Sequence, residues 1–190
     1  MGNKNKQDPS LLFDQYYREI WCDRWLDLKE ALKEEKNTQV SINETTPPYW
    51  LDEASLLTAS LLPVSIGSTV LDMCAAPGGK SLVLARAIGK TGFLTANDRS
   101  PDRRERLRKV LYSLTDDIRP EIRITGFNAE SWGLYEKDVY DAVLLDAPCS
   151  SERHVLNDEK YLSQWSQTRP KRLAISQYAM LPSALMAVKE

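Results

Sequence analysis

Between Pro9 and Lys36 the residues Phe13, Tyr17, Ile20, Trp21, Leu28 and Leu32 recur near a period of 3.6, which predicts a helix over that stretch. Pro9 suits its first turn and Asn37 its end, while residues 1 to 8 are polar and predict a disordered terminus. Pro47-Pro48 then breaks the chain, and a second helix is expected from an Asp52 N-cap through Leu62 to Pro63. Beyond it the rhythm changes to short apolar runs alternating with helical stretches. Strands are predicted at Thr69–Met73, Gly92–Asn97, Glu121–Thr125 and Asp141–Asp146, and helices at Lys80–Ile88, Pro101–Leu114 and roughly Arg169–Val188. Such alternation builds βαβ units around a parallel sheet. Ala142-Val143-Leu144-Leu145 has no polar alternation, so that strand is expected to be covered on both faces. The class is α/β, with a helical extension over residues 1–46 and the main domain over 47–190.

Composition narrows the picture. A chain of 190 residues, 42% hydrophobic and 27% charged, fits one globular domain with a small appendage. No apolar run approaches the length of a membrane span, and the first residues lack the apolar core of a signal peptide, so no membrane partner is expected. Cys22, Cys74 and Cys149 are too few and too scattered for a disulfide framework or a zinc site. They suit a reducing cytoplasm, and no metal is expected. A net charge of −2 and a pI near 5.6 argue against a generally basic surface, leaving nucleic-acid binding to a local patch. The aromatic density of Phe13, Tyr16, Tyr17, Trp21 and Trp25 offers base stacking as one reading, but packing is the simpler one.

The chemistry gathers at the first strand's end, Asp72-Met73-Cys74-Ala75-Ala76-Pro77-Gly78-Gly79-Lys80-Ser81. A glycine-rich turn between a buried strand and a helix lets backbone approach a ligand at the helix's positive end. A P-loop needs a glycine six residues before Lys80, where Cys74 stands. A dinucleotide fingerprint needs G-x-G-x-x-G, and Cys74, Ala76 and Gly78 match it weakly. S-adenosyl-L-methionine needs an acid for its ribose diol at the end of the second strand, and Asp98 stands there. Asp98 also suits a helix cap before Ser100-Pro101; taken with the turn, the cofactor reading is preferred.

Asp72 to Lys80, together with Asp146-Ala147-Pro148-Cys149-Ser150, resembles the Sun-type RNA cytosine-5 methyltransferases. The resemblance runs on through Asn97-Asp98-Arg99-Ser100-Pro101 and Ser151-Glu152-Arg153-His154, which look most like the branch with the mitochondrial ribosomal-RNA enzymes, and it covers roughly residues 48 to 190. It implies a Rossmann-like sheet of order 3-2-1-4-5-7-6, of which four strands are present, leaving an apolar fourth strand at an edge. It implies that Cys74, Ala75, Ala76, Pro77, Gly78, Gly79 and Lys80 wrap the methionine end of the cofactor. Asp98 would bind the ribose with Arg103 nearby, and Asn128 would stand near the adenine, where the family usually has aspartate. Asp146 would sit at the reactive end and reach the target base.

Carbon 5 of cytosine is a poor nucleophile until a thiolate adds at carbon 6; it then attacks the methyl group, and loss of the carbon-5 proton frees the thiol. An acid near the base favours the adduct electrostatically. The resemblance gives the attack to a Thr-Cys motif, which these 190 residues lack, and product release to Cys149. The expectation is therefore a chain that stops short of the complete catalytic core, with RNA, ribosomal or transfer, as its partner. The alternative is a non-catalytic module that binds cofactor or RNA. Candidate RNA contacts are Arg153 and His154, directly after the motif cysteine. Less favoured are the basic faces Arg99, Arg103, Arg104, Arg106, Arg108, Lys109 and Arg169, Lys171, Arg172, since charged helix faces are usually solvated surface.

Overall fold

The computed structural model describes residues 8–34 and 39–190. Residues 1–7 of the polar start, the last residues of the first expected helix and its Asn37 stop lie outside the described residues, whereas Asp8, expected with the disordered start, is ordered as a helix cap. The described residues form two compact units, one within Met1–Lys36 and Cys149–Ile175, the other within Asn37–Pro148 and Ser176–Glu190.

In the first unit the expected single helix is two: α1 (Pro9–Trp21) and α2 (Arg24–Lys33). Asp8 caps α1, its carboxylate accepting from the Ser10 amide at 2.9 Å, with Pro9 in the first turn. The break falls at Cys22, whose φ of +50° ends the helical path. It folds Trp25 back onto α1, where its ring stacks on Tyr17 at 5.1 Å and meets Phe13 at 5.9 Å. Phe13, Tyr17, Trp25, Val155 and Trp165 form one buried cluster, so the packing reading of these aromatics holds. Trp21 stays exposed beneath the Arg24 guanidinium.

The second unit opens with a hairpin that the sequence pattern did not announce, β1 (Gln39–Ile42) antiparallel to β2 (Tyr49–Asp52). Asp52 then caps α3 (Glu53–Ser60), accepting from the Ser55 amide at 2.8 Å as expected. The four expected strands form β3 (Thr69–Asp72), β4 (Phe93–Asn97), β5 (Glu121–Thr125) and β6 (Ala142–Leu144), all parallel in the order β5-β4-β3-β6. Successive side chains face opposite ways: Val70 joins the core with Leu82, Leu84, Leu107 and Leu111, whereas Leu71 joins Trp132, Tyr140, Met180 and Ala184. The first core belongs to α4 (Gly79–Ile88) and α5 (Pro101–Tyr112), and the second to the end of α8 (Thr168–Ala187). Helices therefore cover both faces, and Ala142 and Leu144 are buried with Val143 half-buried between them. The β6 edge is not wholly bare, because Val188 makes a parallel bridge to Tyr140 and the Lys189 amide donates to the Tyr140 carbonyl at 2.8 Å.

Three short elements lacked any periodic signal: a 3-10 turn over Ala129–Leu134, α6 (Glu152–Leu156) and α7 (Glu159–Ser163). No helix among the described residues is long and apolar enough to cross a membrane.

The strand ends are tied together by Asn97, which is 1% exposed. Its amide nitrogen donates to the carbonyls of Met73 (3.0 Å) and Phe127 (3.1 Å), and its oxygen accepts from Thr125 Oγ1 (2.9 Å) and the Phe127 amide (2.8 Å). Replacing it removes four hydrogen bonds at once, one buried and three part-buried. Asn97→Ala is expected to lower unfolding free energy by about 3 kcal/mol in urea titration, under about 1 kcal/mol for each of the four bonds because three of them are only part-buried. A loss under about 1 kcal/mol would show that these bonds do not hold the strand ends.

Candidate functional site

The site is built on the turn between β3 and α4. The Met73 amide donates to Leu144 O at 3.0 Å and the Ala75 amide to Asn97 O at 2.8 Å, so both neighbouring strands fix the turn. Gly78 has φ +119°, and a Cβ there would meet Val110 Cγ1 at 2.9 Å, which explains its glycine. A Cβ on Gly79 would meet Leu51 Cδ1 at 2.5 Å, so the hairpin lies tight against the turn. No side chain caps α4, and its first amides remain as donors beside the turn.

Two cavities flank Cys74. One, of about 240 Å³, brings together Asp98, Arg103 and Asn128 with Met73, Ser100 and Phe127. Asp98 is 4% exposed; its carboxylate accepts from the Ser100 amide at 2.9 Å and lies 3.4 Å from the Arg103 guanidinium. The capping alternative is settled by Ser100, whose hydroxyl oxygen, not Asp98, accepts from the Arg103 amide at the start of α5. Arg103 also donates to the Ala76 carbonyl, joining α5 to the turn. Asn128 begins the 3-10 turn and accepts from the Glu130 amide at 3.3 Å, so its oxygen is engaged locally.

The other cavity, of about 300 Å³, is walled by Asp72, Lys80 and Asp146, by the Cys74–Pro77 backbone, and by Tyr49, Trp50, Asp52 and Ser55. Lys80 Nζ lies 2.9 Å from Asp146 Oδ2 and donates to Ser55 Oγ at 3.0 Å. Ser55 is a residue of this cavity wall that the sequence pattern missed. It stands 25 residues from Lys80, and its one visible signal is the Asp52 cap that starts its helix.

Asp72 is 1% exposed; Oδ2 accepts from Ser81 Oγ at 2.6 Å, while Oδ1 has no partner. Burial pushes this carboxyl up to about 6, with the Asp146 charge adding, against the Ser81 hydroxyl, the Cys74 amide and Lys80. Burial, then Asp72 and Asp98, pushes the Cys74 thiol up to about 12, and its Sγ lies 4.0 Å from Met180 Sδ. A thiol so held stays protonated and suits a cavity wall rather than a nucleophile.

Cys149, Arg153 and His154 belong to the first unit. Cys149 is exposed, with Sγ 3.7 Å from Ser151 Oγ. Arg153 donates to the carbonyls of Glu34 (2.6 Å) and Ala31 (3.2 Å) at the end of α2, and the His154 ring lies 4.4 Å from that of Tyr161. Among the described residues no group of three or more His, Cys, Asp or Glu is placed to hold a metal.

Residues 59–190 match the model of the family described as 16S rRNA methyltransferase RsmB/F. The chain is 42% identical over 146 residues to the 5-cytosine rRNA methyltransferase NSUN4 of Mus musculus, covering 74% of this chain and 38% of that protein. It is 32% identical over 180 residues to ribosomal RNA small subunit methyltransferase F of Aeromonas hydrophila, covering 89% and 36%. The chain thus spans less than two-fifths of these relatives. Among solved structures, a methyltransferase homolog from Pyrococcus horikoshii superposes with a TM-score of 0.67 at 18% identity, covering 99% of this chain and 74% of that one. NSun6 from the same organism, solved with SFG, gives 0.63 at 23%, covering 82% and 39%. These two likenesses concern the fold.

The raised Asp72 carboxyl has a consequence for stability. The folded chain holds this proton more tightly than the unfolded one, so stability falls as pH rises from the ordinary carboxylate range through about 6. Asp72→Asn removes that cost. The variant should be more stable than the parent at neutral pH by on the order of 2 kcal/mol, and the gap should close as pH falls below about 4. Thermal melts across pH check this, and a gap independent of pH would contradict it.

Proposed function

Because the chain belongs to the RsmB/F family of 16S rRNA methyltransferases, we propose that it carries the cofactor site, and part of the catalytic site, of an enzyme that methylates carbon 5 of cytosine in ribosomal RNA using S-adenosyl-L-methionine. The observation that carries the reading is the pair of cavities meeting at Cys74, each with a buried carboxylate in its wall. The residues fit the cofactor. Asp98 would accept from the ribose hydroxyls, and Asn128 has an amide N–H₂ to offer the adenine. The unpartnered Asp72 Oδ1 would accept from the ammonium, and the uncapped start of α4 would hold the carboxylate. When bound, the cofactor supplies an electrophilic methyl group on its sulfonium.

Asp146, held by Lys80, would lie beside the target base and favour the activated ring electrostatically. Cys149 would remove the carbon-5 proton so that the product is released. The attacking thiol belongs, by the family resemblance, to a Thr-Cys motif, a dipeptide these 190 residues do not contain. Arg153 and His154 follow Cys149 in sequence and would meet the RNA as it reaches that thiol. Three cysteines, all free, support a reducing compartment such as the cytoplasm.

Calorimetry should show S-adenosylmethionine or its demethylated product binding to this chain. Asp98→Ala should weaken that binding ten- to a hundredfold, the effect of about 1.5–3 kcal/mol for bonds to a charged acceptor. Tight ATP binding without S-adenosylmethionine binding would overturn the reading.

A further inference from the structure

Cys149 is followed by a segment too short to hold its own shape. α6 has five residues, below the length at which a helix sustains itself. Ser151, before it, adopts φ +57°, a left-handed conformation that its surroundings must maintain in a serine. The surroundings are α1 and α2. Tyr17 Oη and Ser150 Oγ both donate to Glu152 Oε1, and Ser150 is buried although its neighbour Cys149 is exposed. Burial and the Glu152 charge push the Tyr17 hydroxyl well above its usual range, so it remains a donor at working pH. On the opposite side Arg153 donates to Ala31 and Glu34, and Asn157 Nδ2 donates to the Leu32 carbonyl at 3.1 Å. These carbonyls lie in and just past the last turn of α2. Val155 completes the grip from within the aromatic cluster.

Simple apolar docking accounts for Val155 and Trp165 but not for the polar contacts. A carboxylate in a partly buried place is costly unless it accepts hydrogen bonds. Glu152 spends its acceptor on the residue next to Cys149 and on a tyrosine of α1. Ser150, the residue that follows the thiol, is thereby fixed by its bond.

We propose that Tyr17 and Glu152 are positioning residues for Cys149, and that α1 and α2, which precede the family-matched residues, are a working part of the reactive segment. The inference rests on the role given to Cys149 above. Its direct consequence, a thiol held in one geometry, is readable without cofactor or RNA.

The test is alkylation of the 190-residue chain by iodoacetamide, with each cysteine's rate resolved by mass spectrometry. Tyr17→Phe keeps the ring and its stacking on Trp25 but removes the donor. It should change the Cys149 rate by about three- to tenfold, the factor expected from losing one hydrogen bond, with Cys22 and Cys74 unchanged. Glu152→Ala should reproduce the change. Glu152→Gln, which keeps an oxygen for both hydroxyls, should restore a rate near the parent's. An unchanged Cys149 rate in both Tyr17→Phe and Glu152→Ala overturns the proposal. So does equal acceleration at all three cysteines, which would mark a merely structural role. If Tyr17→Phe does not fold, the comparison of Glu152→Ala with Glu152→Gln decides. Failure to bind S-adenosylmethionine would sink the proposed function while leaving these rates readable.

Discussion

A parallel sheet delivers several strand ends to one side of the molecule, and each end carries backbone groups that the ladder no longer pairs. In this chain the Asn97 side chain meets that demand. Its two donors and two acceptor bonds link the chain leaving β3, at Met73, to the chain leaving β5, at Thr125 and Phe127. The turn that begins at Met73 and the loop that reaches Asn128 therefore start from fixed points. Asp98 is the next residue, and its own amide is held by Thr125 O at 3.1 Å. Both cavities depend on this arrangement, because Cys74 is shared between them and Asn128 opens the 3-10 turn beside one of them.

On that frame the charges are arranged in opposition. Two buried carboxylates, Asp72 and Asp98, stand on either side of the Cys74 turn, each near a cation held elsewhere: Lys80 by Ser55 and Asp146, Arg103 by the Ala76 carbonyl. Asp98 is well supplied with partners and Asp72 is not. An unmatched oxygen in a dry place costs stability, and a site that accepts it gains an acceptor for a ligand cation.

What the sequence disclosed follows from the range of the forces involved. Buried strands are read from composition alone, and β3 to β6 fall within one or two residues of the expected ends, as do the Asp52 cap and the stop before Pro63. The hairpin, the 3-10 turn, α6 and α7 have four to six residues each, fewer than two helical turns, and leave no period to find. The break at Cys22 is a tertiary effect, since only the contact of Trp25 with α1 distinguishes two helices from one. In the site, Asp98 was legible because strand geometry fixes its distance from the turn. Ser55 and the unmatched oxygen of Asp72 were not, because each is defined by what packs against it.

The protonated thiol of Cys74 has a bearing on oxidative chemistry. A cysteine held near 12 carries only about one thiolate in a hundred thousand at neutral pH, and peroxide attacks the thiolate. Cys149 and Cys22 are exposed and meet an oxidant directly. Oxidative damage therefore falls on Cys22 and Cys149 before it reaches the turn beneath the cavities. A chain aged in air keeps the Cys74 turn chemically intact after its exposed thiols have been oxidised, so the state of that turn says little about the state of Cys149.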